Sequence, residues 1–166
     1  MAAAPRLLLL MRHADAVTFA PGLGDKDRPL SEAGEDQARR AGAYLSENDL
    51  LPDETLCSDS VRTRQTAGLL GLSCATHPTE AIYNAGSDTI RDVIGEVADD
   101  VRVLLVVGHA PGIPTLAHAL ADKAESDPTA FDAIRWGFPT ATLVGIRIGG
   151  TWADPEPGPV ILAFRG

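Results

Sequence analysis

The chain has 166 residues, 45% of them hydrophobic, with 14 Lys and Arg against 23 Asp and Glu, a formal net charge of −9. That length buries one substantial core and does not need a second, so residues 1–166 are read as a single domain. A surface this acidic repels polyanions and excludes nucleic acid as an expected partner.

The first element is the apolar run "RLLLLM", Arg6 to Met11, continuous in the manner of a strand covered on both faces. With Pro5 and Arg6 near its start and charge arriving at Arg12, the segment 1–11 suits neither a signal peptide nor a membrane span. The expected compartment is therefore the cytoplasm, with no membrane partner. Ser31 caps a helix that has Glu32, Glu35 and Asp36 in its first turn and Ala38, Ala41, Gly42 and Leu45 along one face. "TLCS", Thr55 to Ser58, reads as another buried strand, and a helix follows from about Ser60 to Leu70, stopped by Gly71. Ile90, Val93, Ile94 and Val97 mark a third helix, "RVLLVVG" (102–108) a further strand, and Ile113, Leu116, Ala117 and Leu120 a helix behind Pro111-Gly112. "TLVGIRIGGTW" and "VILAF" read as late strands, the first turning at Gly149-Gly150, with "ADPEPGPV" (153–160) as a surface loop. Strands alternating with helices predict an α/β fold, a three-layer α/β/α sandwich around a mainly parallel central sheet. Cys57 and Cys74 form no disulfide framework and no metal-ligand spacing; both are read as reduced thiols, and His77 and His118 as structural or exposed.

In such a sheet, ligands bind beyond the carboxyl ends of the strands. Arg12 and His13 stand at the end of the first strand, and His109 follows the 102–108 strand directly before a helix, so the two histidines can face each other across one pocket. Arg62 falls in the first turn of a helix, where free N–H groups already favour an anion, and Arg28 in "DRPLSEAG" can reach the same region. Arginine forks a phosphate bidentately. The combination predicts a dianion gripped by arginines with a neutral imidazole in line to attack it. The paired histidines lack a third ligand at suitable spacing and arginines repel a cation, so neither a metal nor another cofactor is expected.

These residues resemble the histidine phosphatase superfamily, also called phosphoglycerate-mutase-like. "MRHADA" is similar to its R-H-G signature, "SDSVRTRQTA" to its S-x-x-x-R-x-x-Q-T segment, and "VVGHAPGI" to its second-histidine motif, in the right order from Leu7 to Leu120. The short chain and "DRPLSEAG" resemble the SixA-like phosphohistidine phosphatases most. The resemblance implies that His13 attacks phosphorus and becomes a phosphohistidine, that Arg12, Arg28 and Arg62 hold the non-bridging oxygens, and that His109 stabilises charge on the transferring group. It implies a phosphorylated substrate, a phosphohistidine-bearing protein in the SixA-like case. Two departures stand out. Ala14 replaces a glycine, which is acceptable if that position has negative φ. Asn84 stands where a leaving-group acid is expected, so Glu80, Asp15 and Asp88 become the substitute acids to examine. A leaving group that needs little protonation explains such a loss. A metabolite phosphomonoesterase, its specificity set by "QTAGLLGL" (65–72) and the loops around Ala20 to Asp27, and a phosphate-binding module without catalysis are the alternatives.

Overall fold

A computed structural model of the chain describes residues 4–19 and 21–166. Met1 to Ala3, part of the N-terminal run, and Ala20, at the start of the specificity loop, lie outside the described residues. The strands are β1 Arg6–Arg12, β2 Glu54–Ser58, β3 Ala75–Thr79, β4 Val103–Gly108, β5 Thr142–Gly150, β6 Pro155–Glu156 and β7 Val160–Arg165. The helices are α1 Glu32–Glu47, α2 Val61–Leu69, α3 Ser87–Gly95, α4 Gly112–Leu120 and α5 Pro128–Arg135, with single 3-10 turns at Asp25–Asp27 and Glu80–Ile82.

The sheet runs β3-β2-β4-β1-β5-β6, with β7 also on β5. β3, β2, β4 and β1 are mutually parallel, whereas β5 is antiparallel to β1 and to both β6 and β7. Side chains alternate across a strand, and β1 shows why its run is apolar throughout. Leu8 and Leu10 pack with Leu104, Val106, Ile90, Ile113 and Phe131 on one face. Leu9 and Met11 pack with Leu105, Val107, Ala38, Ala41 and Ala67 on the other. All four β1 side chains are fully buried, each stabilising the fold by about 2 kcal/mol. Helices α1 and α2 therefore cover one face and α3, α4 and α5 the other, which is the three-layer α/β/α sandwich.

Two elements have no counterpart in the sequence reading, and one local reading is corrected. β3 carries no apolar signal because it is an exposed edge strand, where Pro78 removes no needed ladder donor. Helix α5 was not anticipated, although Asp127 caps it by accepting from Ala130 N–H and Pro128 opens it. The segment "ADPEPGPV" is not all loop: Pro155–Glu156 pairs with Gly149 and Gly150.

Candidate active site

β1 and β4 pair in parallel with Arg12 opposite Gly108. The next residue on each strand is a histidine, so register alone brings His13 and His109 side by side. The His13 N–H donates to the Gly108 carbonyl at 2.9 Å, and the two imidazole centroids lie 5.3 Å apart at 61°. β2 joins the same edge through Cys57 opposite Val107, which carries Ser58 to the histidine pair. Ser60 then caps α2, its side chain accepting from Thr63 N–H, and Arg62 occupies the first turn. Two glycines close the neighbouring loops onto this edge. A Cβ on Gly34 of α1 would strike the Asp15 carbonyl, and one on Gly112 at the start of α4 would strike the Ala85 carbonyl.

His13 is 7% exposed, and its Nδ1 lies 2.7 Å from the Ala14 carbonyl. A carbonyl only accepts, so Nδ1 carries the proton and Nε2 keeps its lone pair, the form a nucleophile needs. Burial is the largest cause that pushes this imidazole down to about 4; the Ala14 carbonyl pulls it up next in size, and Arg62, Arg12 and Arg28 add smaller downward pushes. Ala14 has no positive φ; among the described non-glycine residues only Asp49, Asn84 and Ala141 do. Its N–H donates to Thr66 Oγ1, which in turn donates to the Arg62 carbonyl at 2.7 Å.

His109 is 3% exposed. Its Nδ1 lies 3.3 Å from Arg62 Nη2 and its Nε2 lies 2.8 Å from Ser58 Oγ. A guanidinium only donates, so Nδ1 accepts and Nε2–H donates to Ser58, whose oxygen also accepts from Ser60 N–H. Burial first and Arg62 second push His109 down to about 3. Ser58, the last residue of β2, thus fixes the tautomer of His109.

The arginines divide into two groups. Arg62 is 3% exposed, and Arg12 donates from Nη1 to the Phe138 carbonyl at 3.0 Å. The buried Nε atoms of both have no hydrogen-bond partner. Arg28 is only partly buried. It donates to the Val17 carbonyl at 2.9 Å and to Asp25 Oδ1 at 3.0 Å. Arg64, two residues past Arg62, is exposed and outside this cluster.

Residues missed from sequence complete the site. Asp25 binds Arg28 and Arg62 together and accepts from the Tyr83 hydroxyl at 2.6 Å. The Tyr83 ring stands edge-on to His109, 5.6 Å between centroids. Its hydroxyl and the guanidinium groups hold the Asp25 carboxyl down at about 2, Tyr83 being the largest cause. The only sequence signal was the i, i+3 spacing of Asp25 and Arg28.

None of the expected substitute acids forms a hydrogen bond or ion pair with a site histidine or arginine. Asp15 accepts from the Ser31 hydroxyl at the head of α1, Asp88 sits exposed in the first turn of α3, and the Glu80 side chain is 85% exposed. Asn84 is exposed and adopts φ 49°, a left-handed turn that asparagine tolerates. Among the described residues no group of three His, Cys, Asp or Glu side chains is placed to hold a metal ion.

Residues 8–84 match the model of the histidine phosphatase superfamily, branch 1. An uncharacterised protein of Mycobacterium tuberculosis is 38% identical over 148 residues, 89% of this chain and 93% of its own length. A Nakamurella multipartitia structure assigned as phosphohistidine phosphatase SixA superposes with TM-score 0.88 at 33% identity, covering 99% of this chain and 98% of that one. One from Agrobacterium tumefaciens with the same assignment gives 0.82 at 27% identity, covering 98% and 99%. The chain belongs to the histidine phosphatase superfamily and is a phosphatase.

Proposed function

We propose that the chain hydrolyses phosphohistidine in a protein, with His13 as the nucleophile. The observation that carries this reading is the leaving-group side of the site. Asn84 cannot supply a proton, and Asp25, the carboxyl bound to the site arginines and to Tyr83, is held ionised. A phosphate ester of an alkyl alcohol needs that proton, whereas protonated phosphohistidine does not.

The transfer is then between like groups. The His13 Nε2 lone pair forms the new N–P bond as the substrate's P–N bond breaks, and the released pair stays on the substrate nitrogen. A substrate ring that entered as a cation leaves as neutral imidazole. Phospho-His13, with Nδ1–H still on the Ala14 carbonyl, is now the cation. Water attack on phosphorus returns the pair to Nε2 and releases dihydrogen phosphate. Arg12, Arg28 and Arg62 hold the non-bridging oxygens throughout; preorganised charge of this kind is the main protein contribution to phosphoryl transfer. His109, its ring held by Arg62 and Ser58 beside His13, stabilises charge on the transferring group.

A macromolecular substrate is supported by the rim. Four large hydrophobic side chains are exposed among the described residues: Phe19, Leu23, Leu51 and Trp136. Three of them lie two positions from a group that binds a site arginine, namely Val17, Asp25 and Phe138. Exposed apolar side chains close in sequence to the groups that hold the arginines suit a docking protein. The SixA assignment of the Nakamurella and Agrobacterium structures points the same way.

The test compares kcat/KM for a phosphohistidine-bearing protein, p-nitrophenyl phosphate and an alkyl phosphate. Clear preference for the phosphoprotein supports the reading. Preference for the alkyl phosphate contradicts it and makes the chain a metabolite phosphomonoesterase.

A further inference from the structure

Asp25 is an unusual neighbour for a phosphate site. It opens the 3-10 turn Asp25–Asp27, and its carboxylate occupies two of the three arginines. Oδ1 receives Arg28 Nε and Nη2, both at 3.0 Å. Oδ2 receives Arg62 Nη2 at 3.1 Å and the Tyr83 hydroxyl at 2.6 Å, while the Asp25 backbone carbonyl receives Arg62 Nη1 at 2.7 Å. A pure anion receptor gains nothing from a fixed negative charge on its own guanidinium groups. Tyr83 immediately precedes Asn84, so the carboxylate stands against the segment from which a leaving-group acid is missing. It is half-exposed, with a side-chain accessibility of 51%, so a substrate N–H can reach it by displacing one of the donors that now fill both oxygens.

We propose that Asp25 is a specificity-determining residue whose carboxylate accepts the N–H of a cationic nitrogen leaving group, selecting phosphoramidates over phosphate esters. The inference rests on the nucleophile and phosphate assignments above and deepens them. A protonated phosphoramidate is a zwitterion, negative at phosphorus and positive at the leaving nitrogen group. Arg12 and Arg62 match the first charge and Asp25 the second. During transfer the P–N pair goes to the leaving nitrogen, and in an imidazolium substrate the N–H facing Asp25 stays where it is. No proton moves, and the carboxylate keeps the ring in its protonated form until the bond breaks. An ester offers only oxygen there, and the oxyanion that develops is repelled by Asp25.

The test measures kcat/KM of wild type and Asp25→Asn on phosphoramidate, on a phosphohistidine-bearing protein and on p-nitrophenyl phosphate, whose leaving group has neither an N–H nor a need for an acid. The variant is expected to lose about 10- to 100-fold more on both N–P substrates than on p-nitrophenyl phosphate, the range of a charged hydrogen bond. An equal loss on all substrates makes Asp25 a structural anchor for Arg62 and overturns the proposal. An equal gain on all makes it a mere competitor for the arginines, which also overturns it. Failure of the broader reading looks different, because wild type itself then shows no preference for N–P substrates.

Discussion

The site is assembled from two regions held by different forces. His13, His109, Ser58 and Arg62 stand at the ends of β1, β4 and β2 and in the first turn of α2, where sheet register and close packing fix them. Asp25 and Arg28 come from the loop between β1 and α1, which is largely exposed and is tied down by ion pairs. In the proposed reaction the strand ends carry what the chemistry cannot vary, a neutral imidazole as nucleophile beside buried positive charge, and the loop carries what distinguishes one substrate from another. The two meet at a single side chain: Arg62 binds Asp25 on one side and His109 on the other.

Breaking that junction has the largest expected effect. Arg62→Ala removes an oxygen donor and both anchors at once, and kcat/KM should fall about 10²- to 10³-fold. Arg62→Lys should restore little, since a point charge cannot replace the fork. Steady-state rates on p-nitrophenyl phosphate check both variants.

Between pH 7 and pH 4.5 acid acts on the strand-end region, because Asp25 in the loop is held at about 2 and takes up its proton only below that range. His13 and His109 are held at about 4 and about 3, below the unfolded value of 6.5. The unfolded chain therefore binds these protons first. Their contribution to stability is complete above pH 6.5 and is lost as the pH falls toward 4 and then 3. The loss is on the order of 3 kcal/mol for His13 alone. Urea unfolding at pH 7 and pH 4.5 measures it, and a stability independent of pH over that range contradicts buried neutral histidines.

A smaller change sharpens the comparison within the strand ends. Ser58→Ala leaves His109 Nε2–H without its acceptor, a loss of about 1 to 1.5 kcal/mol, or about tenfold in kcat. The pH dependence should shift with it, whereas a purely structural serine would change stability alone. The smallest effect is expected at the rim. Trp136→Ala should lower kcat/KM several-fold on a phosphoprotein while leaving p-nitrophenyl phosphate turnover unchanged, and equal effects on both substrates would remove Trp136 from docking.

The same division governs what could be read from the sequence. β1 and β4 announce themselves because both faces are covered, which forces continuous apolar runs ending in Arg12-His13 and Gly108-His109. The α/β/α architecture follows from their alternation with helices. β3 was illegible because an exposed edge strand has no apolar face to display. The placement of Asp25 was hidden for a different reason: it lies 37 residues from Arg62 and 58 from Tyr83. Only the folded path of the loop brings those charges together, and no local periodicity encodes that path. The nitrogen assignments of both imidazoles were likewise out of reach, since they depend on the Ala14 carbonyl and on the Ser58 and Arg62 side chains in three dimensions.

The most direct measurement is the covalent state of His13 during turnover. Wild type mixed with phosphoramidate, quenched in alkali and digested, should yield one peptide carrying a base-stable, acid-labile phosphoryl group on His13, formed at least as fast as steady-state turnover. His13→Ala should yield none and lose all hydrolysis. Phosphate release without any phosphorylated His13, or full activity in His13→Ala, would contradict the histidine nucleophile on which the account rests.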